Sequence, residues 1–448
     1  MPSAAEQLAS NMNFGAFSRA KELQQRILFT LFVLIIYRVG TYIPIPGVDP
    51  SQFSAAFSAQ QGGVLGMFNL FSGGAVERMA IFALNIMPYI SASIIMQLMA
   101  ATIPSLERLK KEGGEQGRKQ INQYSRYLTV VLASFQAGAI GVGMSTPNVD
   151  GVTIAVDPGP FFIATTVITL VGGTMFLLWM GEQITARGVG NGVSLIIFAG
   201  IIAEMPRALV QALEAGASGT LPSGVIVAML VGILLVLTFV VFIERSQRRL
   251  LIQYPKRQVG NKMMGGESSF LPLKLNTAGV IPAIFATSLL LLPATASGFS
   301  EQSGPEWLRL VNAYLGQGKP LFLILYGALI IFFTFFYTSI VFNPEDTADN
   351  LRKHGGFLPG IRPGERTAEY LDYVLSRLTF VGAAYLTAVC LLPEILRSQY
   401  SISFAIGGTA ILIVVSVTLD TVGQIQSHLL AHQYGGLIKK TKLRGRKR

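Results

Sequence analysis

Few residues in this 448-residue chain can do covalent or metal chemistry, and their placement argues against most of it. The histidines are His354, His428 and His432. His428 and His432 stand four apart, which puts both imidazoles on one helix face, the spacing of a metal-ligand pair. No carboxylate pattern completes such a site, so placement by chance in a polar tail is the plainer reading. Cys390 is the single cysteine and falls in an apolar run, where it is expected to be a small core residue. That excludes an internal disulfide and a thiolate metal cluster. No Gly-x-x-x-x-Gly-Lys-[Ser/Thr] loop is present to cradle a nucleotide phosphate. No metal, cofactor or catalytic group is expected.

What the chain does have is apolar length. Ten runs cover 27–45, 79–103, 128–144, 161–180, 193–213, 225–243, 278–293, 321–342, 378–392 and 402–422. Most approach the ~20 residues that cross a hydrocarbon core as a helix. Only 13% of residues are charged, mean hydropathy is +0.51, and the net charge of +11 sits between the runs. Lys and Arg crowd every second gap: Lys21 and Arg26, then Arg108 to Arg126, Arg187, Arg245 to Lys274, Arg352 to Arg377, and the tail from Lys439. The gaps between hold only scattered cations such as Arg207, Arg309, Lys319 and Arg397. The positive-inside rule then places both termini on the cytoplasmic side of a multi-pass protein. Residues 1–20 hold no apolar stretch before a small-residue cleavage site, so no signal peptide is expected and the first run directs insertion.

Two segments break the pattern of plain spanning helices. Before the second run stands Leu65-Gly66-Met67-Phe68-Asn69-Leu70-Phe71-Ser72-Gly73-Gly74-Ala75, apolar but too short to span. Such a piece is either a re-entrant plug at about 64–76, buried in protein or lining a cavity, or an interfacial loop on the outer surface. The second run itself carries Asn85, Pro88, Ser91, Ser93 and Gln97 among Ile, Met and Leu. Polar groups in hydrocarbon face a bundle interior or cavity, or they join neighbouring helices by hydrogen bonds. Pro88 is expected to bend the helix.

A weak repeat links this run to the seventh. Pro88-Tyr89-Ile90-Ser91-Ala92-Ser93 and Pro282-Ala283-Ile284-Phe285-Ala286-Thr287 both fit Pro-x-Ile-x-Ala-[Ser/Thr], each in the second helix of a five-helix half. An odd number of helices per half inverts the halves, which places a pathway at their interface. The expected fold is all-α and polytopic, with ten transmembrane helices in two inverted halves, 1–222 and 223–448, and a re-entrant plug. The runs hold almost no Asp, Glu, Lys or Arg at their centres; Arg38, Glu182, Glu204 and Asp420 lie near predicted ends and are expected to reach the interface. That absence weighs against the alternative, an ion-coupled transporter of a small solute.

Two basic loops exceed what topology needs. Residues 244–276 include Arg248 to Tyr254, strand-like, followed by Pro255-Lys256-Arg257-Gln258, which together read as a projecting hairpin with a turn. Residues 343–372 include the Gly- and Pro-dense stretch around Arg362, which reads as a fixed turn. Arg257 and Arg362 are candidate contacts for acidic protein or ribosomal RNA phosphate; a solvated topology signal explains the charge but not the length.

The motifs Phe68-Asn69-Leu70-Phe71-Ser72-Gly73-Gly74, Ile86-Met87-Pro88-Tyr89, Gly181-Glu182-Gln183-Ile184-Thr185, Gly190-Asn191-Gly192, Phe342-Asn343-Pro344 and Gly360-Ile361-Arg362-Pro363-Gly364 resemble the bacterial SecY family of protein-conducting channel subunits, over essentially the whole chain. The resemblance implies an hourglass pore in the cytoplasmic membrane that passes unfolded polypeptides and releases hydrophobic segments sideways, without covalent chemistry. It implies a constriction ring at Ile86, Ile90, Val193, Ile197, Ile284 and Ile413, residues that would otherwise be taken for ordinary packing. It implies a lateral gate between the second and seventh helices, where Ser91, Ser93 and Gln97 face Thr287, Ser288 and Leu292. As partners it implies the subunits SecE and SecG, the motor ATPase SecA, the ribosome, signal peptides, nascent chains and membrane lipid.

Overall fold

The first helix shows how the chain writes its spans. In α1 (Lys21–Gly40) an acidic Glu22 stands in the first turn and Arg38 in the last, each matched to the helix dipole, while Leu28, Leu31, Phe32 and Ile35 stay exposed on an apolar outer face. The computed structural model describes residues 20–49, 53, 64–145, 155–217, 223–254, 257–259, 262–264, 268–298, 319–400 and 407–444. The side chains of Leu65, Met67, Arg257 and Leu292 lie outside the described residues.

A short helix, α2 (Val64–Ser72), precedes a turn-rich stretch, and α3 (Met87–Thr102) then begins eight residues later than the apolar run predicts. The reason is backbone geometry. Met79 and Asn85 adopt φ of 44° and 48°, the left-handed region that no helix continues through. Pro88 falls in the first turn of α3, where its missing N–H costs nothing, so it starts the helix instead of bending it. The bend comes at Ile103, held extended before Pro104, where the chain turns 101° into α4 (Pro104–Glu112).

Next come α5 (Gly114–Ser145), α6 (Pro160–Arg187), α7 (Gly192–Ala217) and α8 (Ser223–Arg245), and beyond the hairpin α9 (Ile281–Gly298), α10 (Pro320–Val341), α11 (Pro344–Lys353), α12 (Glu365–Tyr400) and α13 (Gly408–Arg444). Among the described residues eight helices are long and apolar enough to cross a membrane, nine with the bent pair α3–α4. The shorter apolar helix Ile281–Leu290 makes this consistent with ten. Helices α5, α12 and α13 overrun their apolar runs by a dozen residues or more at a charged end, because Lys, Arg, Gln and Glu propagate a helix in water as well as leucine does in lipid. The contacts run in two series, α3 on α5 and α6 with α6 on α7, and α9 on α10, α10 on α12 and α12 on α13; the series meet where α9 lies on α3 and α5, and where α13 lies on α7.

Both long loops condense into one small unit. Strand β1 (Gln247–Gln253) pairs antiparallel with β4 (Ser268–Lys274), and β2 (Arg257–Val259) with β3 (Lys262–Met264). Arg257 and Gln258, expected in a turn, are therefore strand, while Pro255 and Lys256 of that expected turn lie outside the described residues. The end of β1 is bonded to the second loop: Gln253 N–H donates to the Phe357 carbonyl at 2.9 Å and Phe357 N–H returns to Gln253 at 3.0 Å. Beneath them Leu250, Leu273, Leu358, Leu371, Val374 and Leu378 form a separate apolar core.

Leu371 is fully buried in that core. Leu371→Ala is expected to cost about 2–5 kcal/mol locally. Limited proteolysis checks it: cleavage in 244–276 and 343–372 should rise together while the spanning helices stay protected, and cleavage in one loop alone would show that they fold separately.

Candidate pore, plug and seam

A cavity of about 1310 Å³ lies between the β1–β4 sheet and the middle of the helix bundle. Its lining combines charged and polar side chains, among them Arg245, Arg249, Lys274, Asp420 and Gln424, with apolar ones that include Ile197 of α7, Ile284 of α9 and Ile413 of α13. Ile86 and Ile90 belong, with Ile197 and Ile413, to the large apolar core of the bundle, and Val193 and Ile284 pack against it. Ile86 sits immediately before α3 and its carbonyl accepts the Ile90 N–H at 3.1 Å, so the two are stacked one turn apart. Ile86, Ile90, Ile197 and Ile413 are buried, and Val193 and Ile284 half-buried.

Helix α2 packs against α7 and α9, with Phe68, Leu70 and Phe71 buried. Its C-terminal carbonyls have no helical partner. Side chains supply one each: Asn85 Nδ2 donates to Phe71 O at 2.6 Å, Tyr37 OH to Ser72 O at 3.0 Å, Arg38 Nη1 to Gly73 O, and Arg78 Nη1 to Gly74 O at 3.3 Å. Asn85 explains its own left-handed backbone, since that turn aims its amide at α2. Gly73 and Gly74, at φ 68° and 81°, make the turn that follows. Gly200 of α7 lets the two backbones touch: a Cβ there would stand 2.5 Å from Phe71 O.

Ion pairing near this turn is something the sequence reading missed. Glu77 holds Arg207 of α7 through two 2.8 Å contacts, and its backbone N–H and carboxylate both bond Asn69 of α2. Glu204, expected to reach the interface, is buried against Gly74, and Arg38 is turned inward to Gly73. Glu182 pairs with Arg126 of α5, and Asp420 lines the cavity. The available signal was Glu77-Arg78, two residues beyond Gly73-Gly74, adjacent charges with no place on a lipid face.

The expected lateral gate falls where α3 meets α9. Its polar groups are mostly satisfied within their own helices: Gln97 Nε2 donates to Ser93 Oγ at 3.3 Å, and Thr287 Oγ1 donates to the Ala283 carbonyl. Ser91 is buried. Across the seam Ser288 Oγ reaches Met87 Sδ at 3.9 Å, a weak hydrogen bond. On the loop unit Arg362 is exposed, with its carbonyl pinned by Thr367 Oγ1 at 2.8 Å. No group of three or more His, Cys, Asp or Glu that could hold a metal occurs among the described residues.

Three comparisons bear on this architecture. The SecY family model matches residues 80–422. "Protein translocase subunit SecY" of Rickettsia bellii (strain RML369-C) is 54% identical over 434 residues, covering 97% of this chain and all of that protein. The protein of the same name from Escherichia coli (strain K12) is 51% identical over 426 residues, covering 95% and 96%. Solved structures agree in fold: "The structure of a protein conducting channel" superposes with a TM-score of 0.62 at 18% identity, covering 91% of this chain and 92% of that one. "Sec61 in the Canine ribosome-channel complex from the endoplasmic reticulum" gives 0.59 at 18% identity over the same shares. With the family model matching well over half its length and relatives above half identity along nearly all of it, the chain belongs to the SecY family.

Proposed function

We propose that this chain is the protein-conducting channel of a translocase, passing unfolded polypeptide through the bundle and releasing hydrophobic segments sideways between α3 and α9. The observation that carries this reading is the cavity of about 1310 Å³ whose lining joins Arg245, Arg249 and Lys274 beside the β1–β4 sheet to Ile197, Ile284 and Ile413 of three helices. A cavity of that size admits a chain, and a ring of six apolar residues with α2 beside it would seal by dewetting. Helices α3 and α9 each begin one residue before a proline and carry Ile90 and Ile284 as their fourth residue, which favours two inverted halves, 1–222 and 223–448. The relatives named as translocase subunits do not favour a small-solute transporter.

The basic loops and tails belong on the cytoplasmic side of the inner membrane by the positive-inside rule, with both termini there. The loop unit, with Arg362 presented on a pinned turn, is then the docking face for the motor ATPase SecA and for the ribosome, whose RNA offers phosphate to guanidinium. Ribosome docking is supported by the solved relatives described as Sec61 in a ribosome-channel complex and as the "idle yeast Ssh1 complex bound to the yeast 80S ribosome". SecE and SecG complete the channel. Energy comes from these partners, and the channel itself makes and breaks no covalent bond.

Reconstitution with the motor ATPase tests the reading directly: protease-protected precursor supports it, and ion-driven uptake of a small solute instead overturns it. Ile90→Asn or Ile284→Asn should hydrate the ring and raise resting ion leak about tenfold or more, the effect of ~1.4 kcal/mol off a barrier, while Ile→Leu at either site changes it little. In a Cys390→Ala background, Met87→Cys with Ser288→Cys should link on mild oxidation, stop export, and recover on reduction; linked channels that still export would place the seam elsewhere. Arg362→Glu should lower motor-driven export several-fold with membrane insertion of the chain unchanged, as charge reversal at a docking contact does.

A further inference from the structure

Along α7 the residues Val193, Ile197, Gly200, Glu204 and Arg207 recur at intervals of four, three, four and three, so they form one face of the helix. That face begins at the ring and ends on the plug. Val193 and Ile197 belong to the ring cluster, Gly200 touches the backbone at Phe71, the Glu204 carboxylate abuts Gly74, and Arg207 grips Glu77.

The polar bonds around α2 are of two kinds, and they do different work. Tyr37, Arg38, Arg78 and Asn85 take the carbonyls of residues 71 to 74, the turn about which α2 would pivot. Those to Gly73 and Gly74 lie past the end of α2, and those to Phe71 and Ser72 hold its last two residues, closest to the turn. The Asn69 side chain stands further back along α2, on the part that a swing would displace more. Its Oδ1 accepts the Glu77 N–H at 3.0 Å and its Nδ2 donates to Glu77 Oε2 at 3.3 Å. Moving α2 out of its place therefore breaks these bonds or drags Glu77 away from Arg207.

We propose that the Glu77–Arg207 ion pair, with Asn69, is the latch that holds α2 in the closed channel, and that α7 couples its release to widening of the ring. The inference rests on reading α2 as the plug. Glu77 is nearly buried, with 11% of its side chain exposed, so an unpaired carboxylate there is costly; the Arg207 side chain is 44% exposed, so water and salt screen the pair and keep it breakable. A permanent tie would need both partners buried. Ile197 and Arg207 stand on the same helix, ten residues and roughly 15 Å apart along its axis with Pro206 just before Arg207, so a chain that pushes Ile197 outward strains the pair through α7. Glu77 and Arg207 are positioning residues, since neither touches the passing chain at the ring.

The test uses membrane vesicles carrying the whole assembled translocase and reads resting ion leak. Glu77→Arg and Arg207→Glu should each raise leak about tenfold or more, towards the level of a deletion of 64–72, because one reversal replaces a partly buried attraction by repulsion. The exchange Glu77→Arg with Arg207→Glu should restore most of the seal. Should a reversal lower the amount of chain in the membrane, Glu77→Gln decides: it keeps the shape and the backbone bond to Asn69, removes only the charge, and should still leak above the parent. If the reversals and Glu77→Gln seal like the parent while the deletion leaks, the latch is wrong and the plug stands. If the exchange leaks as badly as either reversal, the two residues do not act as a pair and the latch is wrong. If the deletion itself seals like the parent, the plug reading falls, and the latch with it.

Discussion

Backbone polar groups inside a membrane must find partners within the protein, and this requirement shapes the region on which the rest of the channel depends. Helices meet it by themselves. The stretch from Phe71 to Ile86 does not, since it is built of turns at the depth where helices surround it. It persists because Asn85, Tyr37, Arg38 and Arg78 each fill a carbonyl that water would otherwise have to reach, and because residues 71–77 are buried among neighbouring helices. Taking those donors away would leave the turn with unsatisfied groups, each worth several kcal/mol in hydrocarbon. A tight turn that carries a short helix is thus a consequence of where the donors stand.

The same requirement explains what could be read from the sequence and what could not. Spanning runs, basic gaps and the short apolar segment at 64–76 announce themselves, because lipid imposes length and composition on any chain that crosses it. The Pro-x-Ile-x-Ala repeat carried more than expected: in both α3 and α9 the proline marks the first turn, which sets Ile90 and Ile284 at equivalent places. Met79 through Ile86 read as helix because hydropathy cannot see a left-handed φ. Glu204 and Arg207 read as the end of a span because a helix pattern does not disclose what is packed beside it. Glu77 was passed over since its partner lies 130 residues away. In the same way the two basic loops gave separate signals, and nothing short of the fold joins Leu250 to Leu371.

Joining the loops matters for how force is applied. The hairpin β1–β4 extends from α8, and the second loop leads into α12; the mutual bonds of Gln253 and Phe357 and the shared leucine core tie these two helices' ends together outside the membrane. A partner that binds either loop pushes on both. Since α8 packs on α7 and α13 and α12 packs on α10 and α13, such a push reaches several helices of the bundle, and under the proposed reading the contact that gives way is the one between α3 and α9.

Few polar bonds hold that contact. Ser93 and Gln97 bond each other along α3, Thr287 bonds back into α9, and Ser288 crosses to Met87 through a weak hydrogen bond. Opening it leaves no orphaned charge and few broken bonds, so a hydrophobic segment entering the gap has only dispersion contacts and shape to replace. The proposed ring follows the same logic in the other direction: six aliphatic side chains would exclude water and hold no preference for what passes. Charge, which would select among cargoes and cost heavily to leave unpaired, lies instead with Arg245, Arg249, Lys274 and Asp420 in the cavity lining and with the Glu77–Arg207 pair, which on the proposed reading acts on the gate without touching the traffic.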